Sequence, residues 1–303
     1  MNALNFIHPD DADALNKLKS IPALPAVMEK VFQYGYDEIM WSNNVTSNLR
    51  LSEKQMPEIY KHLPPICSTL GIPVPELYMQ MSPIPNAWTS GNSRVFITIT
   101  LGLARRFKGE ELDAVLAHEC GHILCQHVLY STLANAIFDL GDSLVDSVIG
   151  SIGNMAMKPI KQSLLAWSRA SELSADRVAC MITSAETLSR TLARLDGIPN
   201  VILNDMDLQA WAEQGCDYEK LKGGSTWDKI VRYMANTDLD HPYGPVRAYE
   251  AQRWSQTQQY ARLKNNVTLL SDGKACPNCG SPISDDWQFC KSCGSKLKRT
   301  GKS

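Results

Sequence analysis

The chain has 303 residues, with 30 Lys and Arg against 32 Asp and Glu, 44% hydrophobic residues and 20% charged ones. That length holds one sizeable core or two domains, and the composition excludes a collagen-like, coiled-coil or globally disordered chain. A formal net charge of −2 gives no overall basic field, so bulk electrostatics imply neither nucleic acid nor an anionic membrane as partner.

The first twenty residues carry no basic region and no long apolar run, and so do not read as a secretory signal. The cysteines number nine, an odd total crowded toward the C-terminus, which points to a reducing, cytoplasmic compartment rather than a disulfide framework. Residues 1–70 read as a helical segment that packs on the main domain. Ala23 to Met40 has apolar positions at helical spacing after Pro22, and Ser52 is placed to cap a helix through Ile59 and Tyr60.

From Pro73 the pattern turns extended. Glu76 to Met81 and Arg94 to Thr100 are rich in aromatic and β-branched residues, with Gly91-Asn92 as a turn signal between them, so a small antiparallel sheet is expected. Two long helices are predicted, over roughly 109–135 and 159–184. Between them Leu133 to Met157 is interrupted by Asp139, Asp142 and Asp146, offset from Ile137, Leu140, Leu144, Val148 and Ile152. That is an amphipathic helix and not a transmembrane span. It covers a cleft, offers a partner surface or packs onto the domain; with no Lys or Arg from Gly109 to Met157, attraction to anionic lipid is not its reason. A last helix, Val246 to Leu263, closes a main domain of 71–263, followed by a linker at 264–274 and a Cys-rich module at 275–303. The expected class is α+β and mainly helical.

His118-Glu119-Cys120-Gly121-His122 lies within a helical pattern. The i,i+4 spacing puts both imidazoles on one face, one turn apart, as two nitrogens binding a single Zn²⁺ require. Glu119 is angularly adjacent and suited to act as general base on a water that the metal activates. A catalytic zinc needs a third protein ligand. Position 128 is Val, so no third histidine follows in an HxxGxxH extension, and His127 on a continuing helix points about 140° away from His122. The ligand must come from another helix. Ser171 to Asp176 supplies Glu172 and Asp176, like charges at i,i+4 that make sense if Glu172 ligates the metal and Asp176 accepts the outer N–H of a liganding histidine.

The second constellation pairs Cys276-Pro277-Asn278-Cys279-Gly280 with Cys290-Lys291-Ser292-Cys293-Gly294. Two CxxC knuckles, each followed by Gly, make a closed structural zinc ribbon, in a module with too few apolar residues to fold without its metal. Zinc is therefore expected twice, one ion catalytic and one structural. The tail's few lysines argue poorly for nucleic acid; a protein partner or substrate recruitment suits the ribbon better.

Taken in order, Pro85-Asn86-Ala87-Trp88, Val95 to Gly102, the HExxH segment, Glu172 to Asp176 and His241-Pro242 with Arg247 resemble the HtpX-type and CAAX-prenyl-protease family of gluzincin metallopeptidases over about residues 70–255. The resemblance implies a soluble zinc endopeptidase that cleaves extended or misfolded polypeptide, with an edge strand binding the substrate backbone. Asn86, Ala87, Val95, Ile97 and Ile99 would serve that binding. His241 would donate to the oxyanion, and Arg247 would partner an acidic residue. Trp88-Thr89 and Cys120 depart from the family's usual residues. The competing reading is a peptide-binding adaptor that uses the same cleft without cleavage, and a third is a ribbon-based nucleic-acid regulator.

Overall fold

A computed structural model of the chain describes residues 1–92, 94–139, 154–220 and 244–271. After a 3-10 turn at Ala3–Asn5 come α1 (Pro9–Lys19), α2 (Leu24–Gln33), α3 (Tyr36–Ser47), β1 (Leu49–Leu51), α4 (Pro57–Tyr60) and α5 (Leu63–Leu70). The expected Ala23–Met40 helix is two helices, because Gly35 sits in the left-handed region at φ 76° and turns the chain. Ser52 does not cap a helix. It pairs with Gln55 across an isolated bridge and accepts from the Lys54 amide, so a local turn wins and the helix waits for Pro57.

The chain continues through β2 (Glu76–Gln80), β3 (Ala87–Ser90), β4 (Phe96–Thr100), α6 (Leu101–Arg106), α7 (Glu110–Leu124), α8 (Val128–Asp139), α9 (Asn154–Ile182), α10 (Ala185–Leu195), α11 (Asn200–Leu203), α12 (Leu208–Lys220), α13 (Gly244–Ser255) and α14 (Gln258–Ser271). The terminal helix is thus broken before Thr257, whose hydroxyl accepts from the Tyr260 amide to start α14, and α14 runs through Ser271 into the stretch read as a linker. No helix among the described residues is long and apolar enough to cross a membrane.

The sheet is four-stranded and mixed, in the order β1-β2-β4-β3, and corrects the expectation of an antiparallel one. β1 with β2 and β3 with β4 are antiparallel, but β2 with β4 is parallel, Leu77 facing Ile97 and Met79 facing Ile99. Alternation marks a strand without giving its direction. Here β3 intervenes in sequence on the far side, so its hairpin returns β4 into the gap beside β2 with the same polarity. Thr100 ties the crossing segment down: its hydroxyl accepts from the Asn86 amide at 2.9 Å and donates to the Ile84 carbonyl at 2.7 Å.

The long helix expected over 109–135 is also two. Gln126 adopts φ 61°, the Gln126 amide bonds the Ile123 carbonyl, and the His127 amide bonds back to the His122 carbonyl at 2.9 Å. This is a Schellman end built on a non-glycine residue, which the sequence does not advertise. α7 packs on α9 at close range. A Cβ on Gly121 would lie 2.9 Å from the Ala175 Cα, so the glycine within the HExxH segment is what allows the two helices to meet there.

Two apolar cores flank this helix pair. One joins the sheet, α5, α7 and α9 to α10, α12 and α13; the other joins α1, α2 and α3 to α8 and the first half of α9 around Trp167. Leu133, Ala134 and Ile137 are buried in the second, so the described part of the Asp-bearing segment packs onto the domain. Asp142 and Asp146 lie outside the described residues.

Candidate metal centre

α7 and α9 bring three predicted ligands together. Nε2 of His118 and Nε2 of His122 are 3.2 Å apart, Glu172 Oε2 lies 3.4 Å from the first and Oε1 3.3 Å from the second. All three side chains are buried. Ligands at about 2.0–2.1 Å from a tetrahedral zinc stand about 3.3 Å from one another; the two Nε2 atoms already have that separation, and the Glu172 carboxylate presents one oxygen to each imidazole, with one atom of each residue lying within 4.8 Å of the others. The residues present therefore fit a zinc held by His118, His122 and Glu172. It is the only such cluster of His, Cys, Asp and Glu among the described residues.

Each imidazole is held from behind. His118 Nδ1 lies 3.0 Å from Asp176 Oδ1, as the i,i+4 pair of carboxylates led one to expect. Arg247 from α13 completes that side: Nε and Nη2 each bond the Asp176 carboxylate at 2.7 Å, while Nη1 lies 3.1 Å from Glu172 Oε2 and Nη2 3.3 Å from His118 Nδ1. Burial opposes ionisation of Asp176, but the Arg247 charge and fork outweigh it and hold the carboxyl below its usual range. Burial also opposes a proton on His118, and the Glu172 and Asp176 carboxylates overcome it, raising its pKa to about 10 without a metal. A proton and a metal therefore compete for this ring.

Sequence reasoning missed the other side. The turn at Gln126 swings His127 back, so that its Nδ1 lies 3.0 Å from His122 Nδ1 and its Nε2 2.9 Å from Asp11 Oδ2 on α1. His127 is not in the group of His118, His122 and Glu172, but neither does it point away from His122. Burial drives its pKa down against the pull of Asp11. α7 ends at Leu124, so the roughly 140° separation of a continuing helix does not apply to His127.

Glu119 is buried beside the ligands, and Thr89 donates to its Oε2 at 2.6 Å. Thr89 was a departure from the family pattern; from β3 it holds the expected base. The ligands open onto a cavity of about 210 Å³ whose lining includes Asn86, Ala87, Leu103, Val115, Leu188, Leu192 and Asp196. Burial raises the Asp196 carboxyl against the opposing pull of Arg247.

Two of the five expected substrate-binding residues thus line the site. The other three need correction. β4 lies between β2 and β3, so both of its edges are paired, and Ile97 and Ile99 are fully buried in the core while Val95 precedes the strand in the hairpin. Among the described residues, the edge strand next to the candidate ligands is β3, Ala87–Ser90. His241 and the four cysteines Cys276, Cys279, Cys290 and Cys293 fall outside the described residues.

This fold and site define a metallopeptidase, and comparison with known proteins agrees. Residues 53–255 match the family described as Peptidase family M48, and residues 273–297 match a zinc-ribbon domain. The chain belongs to peptidase family M48, the HtpX-like zinc-dependent metallopeptidases, and carries a zinc-ribbon domain behind the peptidase domain. It is 30% identical over 274 residues to the plastoglobule-localized metallopeptidase 48, chloroplastic, of Arabidopsis thaliana, covering 89% of this chain and 78% of that protein. It is 25% identical over 252 residues to protease HtpX homolog 2 of Methanosarcina mazei, covering 74% of this chain and 81% of that one. No solved structure gives a significant match.

Proposed function

We propose that the chain is a zinc endopeptidase of the gluzincin type that hydrolyses extended or misfolded polypeptide, with His118, His122 and Glu172 as ligands and Glu119 as general base. The observation that carries this reading is the convergence of two Nε2 atoms 3.2 Å apart with the Glu172 carboxylate, whose Oε2 lies 3.4 Å from His118 and whose Oε1 lies 3.3 Å from His122, and a further carboxylate, Glu119, buried beside them. Zinc, when bound, polarises the scissile carbonyl and makes water acidic enough to lose a proton near neutral pH.

The chain's own residues do the rest. Glu119 takes the water's proton at its carboxylate and delivers it to the leaving amine, and the 2.6 Å bond from Thr89 fixes the carboxylate's rotamer for both transfers. Asp176 and His127 orient the two imidazoles. β3, an edge strand of the sheet among the described residues, offers that edge to an extended substrate, whose main chain adds as a further strand with little demand on sequence. An apolar substrate side chain fits the cavity walled by Leu103, Val115, Leu188 and Leu192. His241 is proposed to donate to the oxyanion. Cys276, Cys279, Cys290 and Cys293 are proposed to hold a second, structural zinc in a module that docks a protein partner or recruits substrate. The compartment is proposed to be cytoplasmic and reducing, with Cys67 and Cys120 kept as buried thiols 3.8 Å apart.

Glu119→Gln is the test. The variant is expected to keep zinc at the ligand triangle and to lose casein and peptide cleavage, while a chelator abolishes cleavage by the wild type. Full activity of Glu119→Gln would overturn the mechanism.

A further inference from the structure

His122 and His127 face each other through Nδ1 atoms 3.0 Å apart, and such a contact is a hydrogen bond only if one ring carries the proton and the other does not. The far end of the chain of contacts decides which. His127 Nε2 lies 2.9 Å from Asp11 Oδ2, and an ionised carboxylate only accepts, so His127 Nε2 must donate. A neutral His127 ring then has Nδ1 as its acceptor, and His122 Nδ1 must be the donor. That leaves the lone pair of His122 on Nε2, the atom that faces His118 Nε2 and Glu172 Oε1. Asp11 is itself pinned: Trp167 Nε1 donates to Oδ1 at 3.0 Å and the Ser174 hydroxyl to Oδ2 at 2.6 Å, while Ser174 accepts from the His8 amide at 2.8 Å. Asp11 and His127 are each 1% exposed, so water does not offer either side chain an alternative partner.

We infer that Asp11, on α1 and outside the residues matched to the peptidase family, is a positioning residue for the metal centre: acting through His127, it imposes on His122 the tautomer that can ligate zinc. The inference rests on the zinc reading proposed above and goes beyond it, because it makes the N-terminal helix part of the site. It also gives a reason for the left-handed Gln126, since only that turn returns His127 to His122.

The experiment uses the full chain. Zinc affinity is measured by competition with a chromogenic chelator and ligand geometry by the visible absorption of the cobalt(II)-loaded protein, with thermal melts of the metal-free forms as the check on folding. The component lost on His122→Ala identifies this site against other bound metal. His127→Phe cannot accept from His122, and its affinity at that component is expected to fall about 10- to 100-fold with a changed cobalt spectrum. His127→Gln carries an acceptor and a donor on one amide and is expected to restore most of the affinity and the wild-type spectrum. Asp11→Ala is expected to weaken binding in the same direction as His127→Phe. Wild-type affinity in a folded His127→Phe or Asp11→Ala overturns the inference, and so does a His127→Gln as weak as His127→Phe. If His127→Phe does not fold, Asp11→Ala and His127→Gln decide by the same criteria. Failure of the zinc reading itself shows in the wild type, as no component lost on His122→Ala; failure of the inference shows only in the variants.

Discussion

The two flanks of the ligand triangle hold equivalent imidazoles by different physics. Behind His118 stands a charged pair, the Asp176 carboxylate clasped by the Arg247 fork, drawn from α9 and α13 within the family-matched region. Behind His122 stands a relay of neutral donors, with His127, Ser174 and Trp167 sharing the Asp11 carboxylate. A buried charge held by its counter-charge fails abruptly when the partner is removed, whereas a carboxylate held by several neutral donors fails in steps. The contrast predicts an ordered set of losses.

The largest falls on the charged flank. Arg247→Ala removes the guanidinium fork from the buried Asp176 and Glu172 carboxylates, leaving His118 as the cation beside them, and is expected to cost about 3–5 kcal/mol in urea unfolding of the metal-free protein. A loss below about 1 kcal/mol would erase the distinction between the flanks. On the neutral flank, Ser174→Ala removes one of three donors to Asp11 and is expected to cost about 1.5–3 kcal/mol by the same measurement.

Acid sharpens the comparison. Burial alone would raise the Asp11 carboxyl, but its bonds to His127, Ser174 and Trp167 hold it below the ordinary Asp value. The unfolded chain then takes up this proton first, so the stabilisation is present above about pH 4 and is lost as pH falls through the lower folded value, at about 1.4 kcal/mol per unit of separation. The stability gap between wild type and Asp11→Ala is therefore expected to narrow on acidification, and a gap that widens would contradict the assignment. The smallest effect is a gain. Gln126→Gly relieves a left-handed non-glycine residue and is expected to stabilise by up to about 1 kcal/mol, read as a rise of a few degrees in Tm.

Legibility in the sequence divides along the same line. The meeting of His118, His122, Glu172 and Asp176 could be read because i,i+4 spacing on a helix is already geometry, and the helices persist where those residues sit. Arg247 was readable only through the ordered family motifs, since nothing in its local sequence names Asp176 as its partner. Asp11 was hidden by distance: no local pattern links α1 to a turn 116 residues away. The end of α7 was hidden because Gln126 takes a conformation that sequence usually signals with Gly or Asn. Strand direction was hidden because alternation is the same for parallel and antiparallel neighbours. Gly35, by contrast, was a visible break in the Ala23–Met40 pattern, and apolar spacing alone overrode it.

The sequence distances in the site also order its assembly in time. The β3–β4 hairpin and α7 close through neighbouring residues, but Asp11 meets Ser174 across 163 positions and Arg247 meets Asp176 across 71. Long loops close late, because their entropy is lost before any contact returns it. A chain emerging from the ribosome presents α1 before α9, and Asp11 must wait for α9 before it meets Trp167 and Ser174. The helix that bears HExxH therefore forms before its histidines are aimed, and the capacity to grip a metal arrives with the finished fold.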